Sequence, residues 1–146
     1  MNYLLDTNAV IALLKNQPAS FRRHLRRAVS RGAAITVSSI VLYELWYGAS
    51  RSERRRENAE RLRVFLSGGV TVHPFTEGDA MTAGDLRATL EATGIPIGPY
   101  DPLIAAQALR AGATLVTANV SEFAPVPSLL WLDWTARSLR CATRLT

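Results

Sequence analysis

Short apolar runs alternate along this chain with longer amphipathic segments, and that alternation limits the fold more than any other feature. Residues 3–5, 34–37, 70–72, 114–117 and 131–132 are rich in β-branched or large apolar side chains but too short for helices. Between them, residues 9–15, 18–30, 40–49, 52–66, 77–93 and 100–111 read as helices. Gly32, Gly68 and Gly69 punctuate these segments, and Pro102 fits the first turn of its helix. Strands that alternate with helices predict an α/β domain, with a central, mostly parallel twisted sheet flanked by helices (α/β/α). Ligands of such sheets bind beyond the carboxyl ends of the strands, so chemistry is expected there.

The chain has 146 residues, the size of one ordinary domain. With 48% hydrophobic and 20% charged residues, a disordered chain is excluded. No apolar run reaches the roughly 18 residues that a membrane helix needs. The first residues carry no basic segment ahead of a long apolar stretch, so no secretory signal is expected. Cys141 is the single cysteine; it forms no internal disulfide and fits a reducing, cytoplasmic setting. The net charge is +5, but residues 22–63 alone hold eleven Arg against four Glu. A basic segment beside an acidic remainder points to an anionic partner, most simply nucleic acid, although charged helix faces are usually just solvated.

Four acids stand out: three lie just after a strand or at a helix start, where a parallel sheet exposes its active edge, and Glu44 points inward on a helix that follows a strand. Asp6 directly follows the first strand, and on its own reads as an N-cap. Asp101 opens the helix of Pro102 and has the same ordinary reading. Glu44 has Ile40, Val41, Tyr47 and Gly48 as helical neighbours, so it lies on an apolar face and needs either water or a counter-ion. A salt bridge to one of the many arginines is one solution. Glu122 follows the fourth strand by a short turn and alone would be an exposed loop acid. Together, carboxylates at one edge would repel one another, and a divalent cation resolves the conflict. There is no Cys/His cluster for zinc, and His24 and His73 read as ordinary surface residues. Oxygen ligands favour Mg²⁺, with Mn²⁺ as a substitute.

The same residues carry a family resemblance. Leu4-Leu5-Asp6-Thr7-Asn8, followed by the run from Ser38 through Glu44 to Gly48, resembles the first half of PIN-domain ribonuclease toxins of the VapC type. The run from Ile97 through Asp101 to Ala108 is similar to their third motif, and Thr117 to Phe123 to their fourth. Leu132-Asp133-Trp134 resembles their ending. The likeness spans residues 3–134 of a single domain expected over 1–146, with 135–146 as a C-terminal tail.

The resemblance implies a Mg²⁺-dependent endoribonuclease, the toxin of a toxin–antitoxin pair, that blocks translation by hydrolysing RNA (tRNA, rRNA or mRNA). It implies a homodimer, a cognate antitoxin, a toxin–antitoxin hetero-oligomer and no membrane association. Asp6, Glu44 and Asp101 would be the main acids around the metal. Many relatives carry Asp where this chain has Asn119, so Glu122 is the alternative fourth acid. Asp6 and Asp101 are expected to hold the ion, with Glu44 and Glu122 acting directly or through water. Thr7, Asn8, Ser38, Thr117 and Asn119 would be supporting polar groups. Arg51, Arg54, Arg55 and Arg56 are expected to meet RNA or antitoxin, and Leu62, Phe65 and Leu66 to meet a partner or pack inward. Trp46 and Tyr100 could stack on bases but read first as core or interface. The alternatives are a metal-dependent DNA or structure-specific nuclease, and a non-catalytic nucleic-acid-binding regulator.

Overall fold

Strand β1 (Asn2–Leu5) lies inside the sheet, between two strands that arrive much later in the chain. They are β2 (Ala34–Ser38) on one side and β4 (Thr114–Val116) on the other. Beyond them lie β3 (Thr71–His73), β5 (Trp131–Asp133) and β6 (Arg140–Cys141), giving the order β3-β2-β1-β4-β5-β6. The first five strands are parallel, and β6 alone is antiparallel. Register places Leu4 beside both Thr36 and Leu115, and Leu5 beside Val37 and Val116. The structure, a computed structural model, describes residues 1–135 and 140–141. The C-terminal tail expected from the sequence is therefore described only at Thr135 and in β6; its remainder lies outside the described residues.

Seven helices complete the described chain: α1 (Thr7–Lys15), α2 (Ala19–Ser30), α3 (Ser39–Arg51), α4 (Arg55–Ser67), α5 (Glu77–Ala92), α6 (Asp101–Ala111) and α7 (Val120–Phe123). Most follow the sequence pattern closely. Two differences have local causes. The charged segment expected from residue 52 begins its helix only at Arg55, because Ser52 is extended and its hydroxyl folds back on the Ala49 carbonyl at 2.7 Å. The one-turn α7 is too short to leave a periodic signal.

Central strands are buried on both faces, which is why they read as continuous apolar runs. Leu5, Val37, Leu115 and Val116 are sealed from solvent. Trp134 fills the space beyond β5, edge-on to Tyr3 and Phe21. His24 corrects the surface assignment: it is buried and stacks on Trp134 at 6.0 Å between ring centroids. His73 is half-buried at the end of β3. Leu62 is buried in the core, with Phe65 and Leu66 half-buried against it, so these apolar positions of α4 pack inward. Among the described residues no helix is long and apolar enough to cross a membrane.

Candidate active site

The carboxyl ends of β1, β2 and β4 meet helix N-termini at one edge, and hydrogen bonds fix each side chain there. The Asp6 amide donates to the Val116 carbonyl at 3.0 Å, which extends the β1–β4 ladder by one residue. Its Oδ1 accepts the Ala9 amide at 2.7 Å and caps α1. The Thr117 hydroxyl also bonds its carboxylate and accepts the Asn119 amide at 2.8 Å. Asp6 is thus a helix cap, as its ordinary reading holds, and a buried acid as well, only 3% exposed. Burial pushes its carboxyl up to about 7; the charges of Asp101 and Glu44 add to the rise, while the Thr117 and Ala9 bonds oppose it.

Asp101 opens α6 but makes no capping bond. Its half-buried carboxyl is pushed up to about 6, first by burial, then by the charges of Glu122 and Glu44, and by a hydrogen bond with Glu122. Glu44 leaves the buried stripe of α3 and is half-buried, with Oε1 accepting the Thr7 hydroxyl at 2.8 Å. Glu122 stands on α7, placed beside Asp101 by the turn after β4. The four acids predicted from the sequence therefore form one electrostatically connected group. Among the described residues no Lys, Arg or His forms an ion pair with any of them, Glu44 included. They do not form a closed cage: no set of three or more acids, His or Cys among the described residues is arranged as a preformed metal shell.

The supporting residues divide. Thr7 and Thr117 touch the acids. Asn119 acts through its amide on Thr117, and its Oδ1 accepts the Ser121 hydroxyl at 3.4 Å. Asn8 is exposed on α1. Ser38 turns elsewhere: its Oγ caps α3 by accepting the Ile40 amide at 3.0 Å and donates to Gln107 Oε1. Gln107, wholly buried on α6, then donates Nε2 to the His73 carbonyl at 3.2 Å. One side chain thus ties the helix of Asp101 to the cap of the helix of Glu44.

Sequence reasoning missed Gln107 because a lone Gln on an apolar helix carries no pattern. It also missed Gly98, whose added Cβ would lie 2.9 Å from Asp101 Oδ2. The bare backbone at Gly98 is what leaves the Asp101 carboxylate room.

The four expected arginines are exposed. Arg51 lies over the Tyr47 ring at 5.5 Å, and Arg54 pairs loosely with Glu57 at 3.7 Å. Arg54, Arg55 and Arg56 line one side of an open groove of about 1070 Å³ between α3 and α4. Trp46 is half-buried against the core under Arg63, and Tyr100 sits beside Tyr43 with ring centroids 5.9 Å apart.

The chain is similar to known proteins in sequence and in fold. The PIN domain family matches residues 3–126. Ribonuclease VapC2 of Rickettsia felis is 38% identical over 134 residues, covering 92% of this chain and 98% of the relative. The tRNA(fMet)-specific endonuclease VapC of Salmonella typhimurium is 36% identical with the same coverage. Among solved structures, VapBC2 from Rickettsia felis bound to a promoter DNA fragment superposes with a TM-score of 0.85 at 37% identity, over 92% of this chain and 99% of that one. VapBC-1 from nontypeable Haemophilus influenzae gives 0.81 at 34% identity, over 93% and 100%.

Proposed function

The chain belongs to the PIN-domain family, and on that premise we propose that it is a metal-dependent endoribonuclease, the toxin of a toxin–antitoxin pair, acting through Asp6, Glu44, Asp101 and Glu122. The observation that carries the reading is the crowding of four carboxylates, one of them buried, with no basic side chain paired to them among the described residues. An all-oxygen donor set that repels itself suits a hard divalent cation, Mg²⁺ first and Mn²⁺ as substitute. Asp6 and Asp101 would hold it. When bound, the ion polarises the scissile phosphate and makes a bound water more acidic.

The remaining work falls to the chain's own groups. Thr117 and the Ala9 amide fix the Asp6 carboxylate, so its free oxygen keeps one direction. Thr7 holds Glu44 by one oxygen and leaves the other to orient water. Glu122 takes the fourth acidic position, supported by its bond to Asp101 and by the engagement of the Asn119 side-chain oxygen with the Ser121 hydroxyl. Water attacks phosphorus in line and gives up a proton to solvent, the bond to the 3′ oxygen breaks, and the leaving oxygen takes a proton from solvent. The products carry a 5′-phosphate and a 3′-hydroxyl.

The relatives named above direct the choice of substrate and partner. One is named a tRNA(fMet)-specific endonuclease, so tRNA is the first substrate class. The solved structures are VapBC assemblies, which supports a cognate antitoxin; a homodimer and a single catalytic domain over 1–146 belong to the same reading.

The test is incubation of antitoxin-free protein with total tRNA and rRNA plus Mg²⁺. Parallel reactions contain EDTA, single-stranded DNA, or the Asp101→Asn variant. RNA cleavage should need the metal and fall about a hundredfold or more in the variant. Equal activity in wild type and variant sinks the acid-site mechanism. Cleavage of DNA alone moves the protein to a DNA nuclease, and bound but intact RNA to a regulator.

A further inference from the structure

Between Asp6 and Glu44 the chain has no acidic residue, but it has six basic ones: Lys15, Arg22, Arg23, Arg26, Arg27 and Arg31. Five of these sit on or just after α2, and all five arginines are exposed. None forms an ion pair among the described residues. Helix α4 is different: Arg54 and Arg63 face Glu57 and Glu60 at 3.7 Å, and Arg63 also covers Trp46. The positive field of α4 is partly met by acids of the same helix, whereas on α2 only Arg22 is engaged, donating to the Leu13 carbonyl at 3.4 Å, and no arginine meets an acid among the described residues.

Placement matters as much as charge. The inner face of α2 is fixed to the carboxyl end of the sheet. Ser20 donates to the Trp134 and Thr135 carbonyls at 2.9 and 3.0 Å, and Phe21 and His24 pack on the Trp134 ring. Strand β5 is two neighbours from β1, so the start of α2 stands roughly 10 Å along the sheet edge from Asp6. From there α2 runs back towards the amino end of the sheet, where β2 begins at Ala34, and Arg23, Arg27 and Arg31 follow at four-residue steps, about 6 Å apart along the axis, leading away from the acidic edge. Arg23, Arg27 and His24 also line an open hollow of about 460 Å³.

We infer that α2 is the docking surface for RNA phosphates outside the cleavage centre, with Arg23, Arg27 and Arg31 as its contacts. This rests on the ribonuclease reading and assigns the substrate's remote anchor to α2 rather than to Arg54–Arg56. RNA fits better than an acidic protein because the outward face of α2 offers a partner only Val29 as a large apolar group, and protein interfaces centre on apolar anchors.

The experiment compares full-length wild type with R23Q/R27Q/R31Q and with R54Q/R55Q/R56Q. Gln keeps helix propensity, and melting temperatures confirm folding. Filter binding of bulk tRNA is measured in EDTA across a salt series, and cleavage is measured separately with Mg²⁺. The α2 variant should lose about tenfold or more in affinity and flatten the log–log salt slope by about 2, with the α4 variant losing clearly less. An α2 variant with the wild-type slope, an equal or larger loss in the α4 variant, or a wild type that does not bind tRNA overturns the assignment. Retained RNA affinity with lost binding of purified antitoxin makes α2 a protein surface instead. A wild type that binds through α2 but never cleaves keeps this surface and overturns the nuclease reading alone.

Discussion

At Asp6, one carboxylate oxygen holds the first turn of α1 while burial resists the charge that the site needs. The consequence for stability has a definite sign. The folded carboxyl titrates near 7, far above its value of 3.8 in an open chain, so between those limits the folded state holds more protons than the unfolded one. Metal-free protein should therefore lose stability as pH rises from about 4 to about 7, and Asp101 acts in the same direction up to about 6. Thermal melts in EDTA across that range should show a falling Tm, and Asp6→Asn should flatten the fall. A Tm that rises with pH in the wild type contradicts the burial argument, unless other groups are shown to drive it by the same slope in Asp6→Asn. Gly98 gives a second residue-scale prediction. Gly98→Ala drives a methyl against Asp101 Oδ2, and should raise the Mg²⁺ concentration for half-maximal cleavage about tenfold with little change in Tm. Asp6, Glu44 and Asp101 were legible because acids interrupt apolar patterns at a strand end, at a helix start and within an otherwise apolar helix. Gly98 was not, because its role is the absence of an atom beside a neighbour in space.

Elements are joined at this edge by buried polar side chains rather than by apolar packing alone. Gln107 receives the Ser38 hydroxyl and gives its amide to the His73 carbonyl, so α6, the cap of α3 and the end of β3 share one hub. Gln107→Leu conserves volume but leaves a buried hydroxyl and a carbonyl unpaired. It should cost about 2–4 kcal/mol in urea unfolding, whereas an exposed substitution such as Arg87→Gln should cost well under 1. A cost below about 1 kcal/mol for Gln107→Leu would show that the hub is dispensable. A second clamp holds α5 to α6. Arg110 on α6 meets the buried Asp79 at 2.8 Å across Gly78, whose missing side chain admits the guanidinium, and Asp79 closes the capping box with Thr76. The helices themselves were readable from period and caps. These ties were not, because each links residues about thirty or more apart that share no local pattern.

For the whole molecule, the uneven charge was visible in the sequence, but its partition was not. Ion pairing on α4, and its lack on α2 among the described residues, depend on which side chains fall within reach, and only the folded chain decides that. The acidic edge and the basic flank together predict how the protein answers a metal. Saturating Mg²⁺ at about pH 8 binds the folded state and relieves the carboxylate repulsion, so Tm should rise by about 5–10 °C over EDTA. The rise should be much smaller in Asp101→Asn. An equal rise in both would mean that the ion binds elsewhere.

The central position of β1 also bears on synthesis. Asp6 leaves the ribosome early, yet its amide pairs with Val116 and its carboxylate needs Thr117. Asp101 follows it by roughly 95 residues, and at about 5–20 residues per second that is roughly 5–20 s of translation. Throughout that interval the growing chain lacks half of its acidic edge and the strand that closes it. A chain whose finished form cuts RNA is thus harmless to the ribosome making it until most of it has been made.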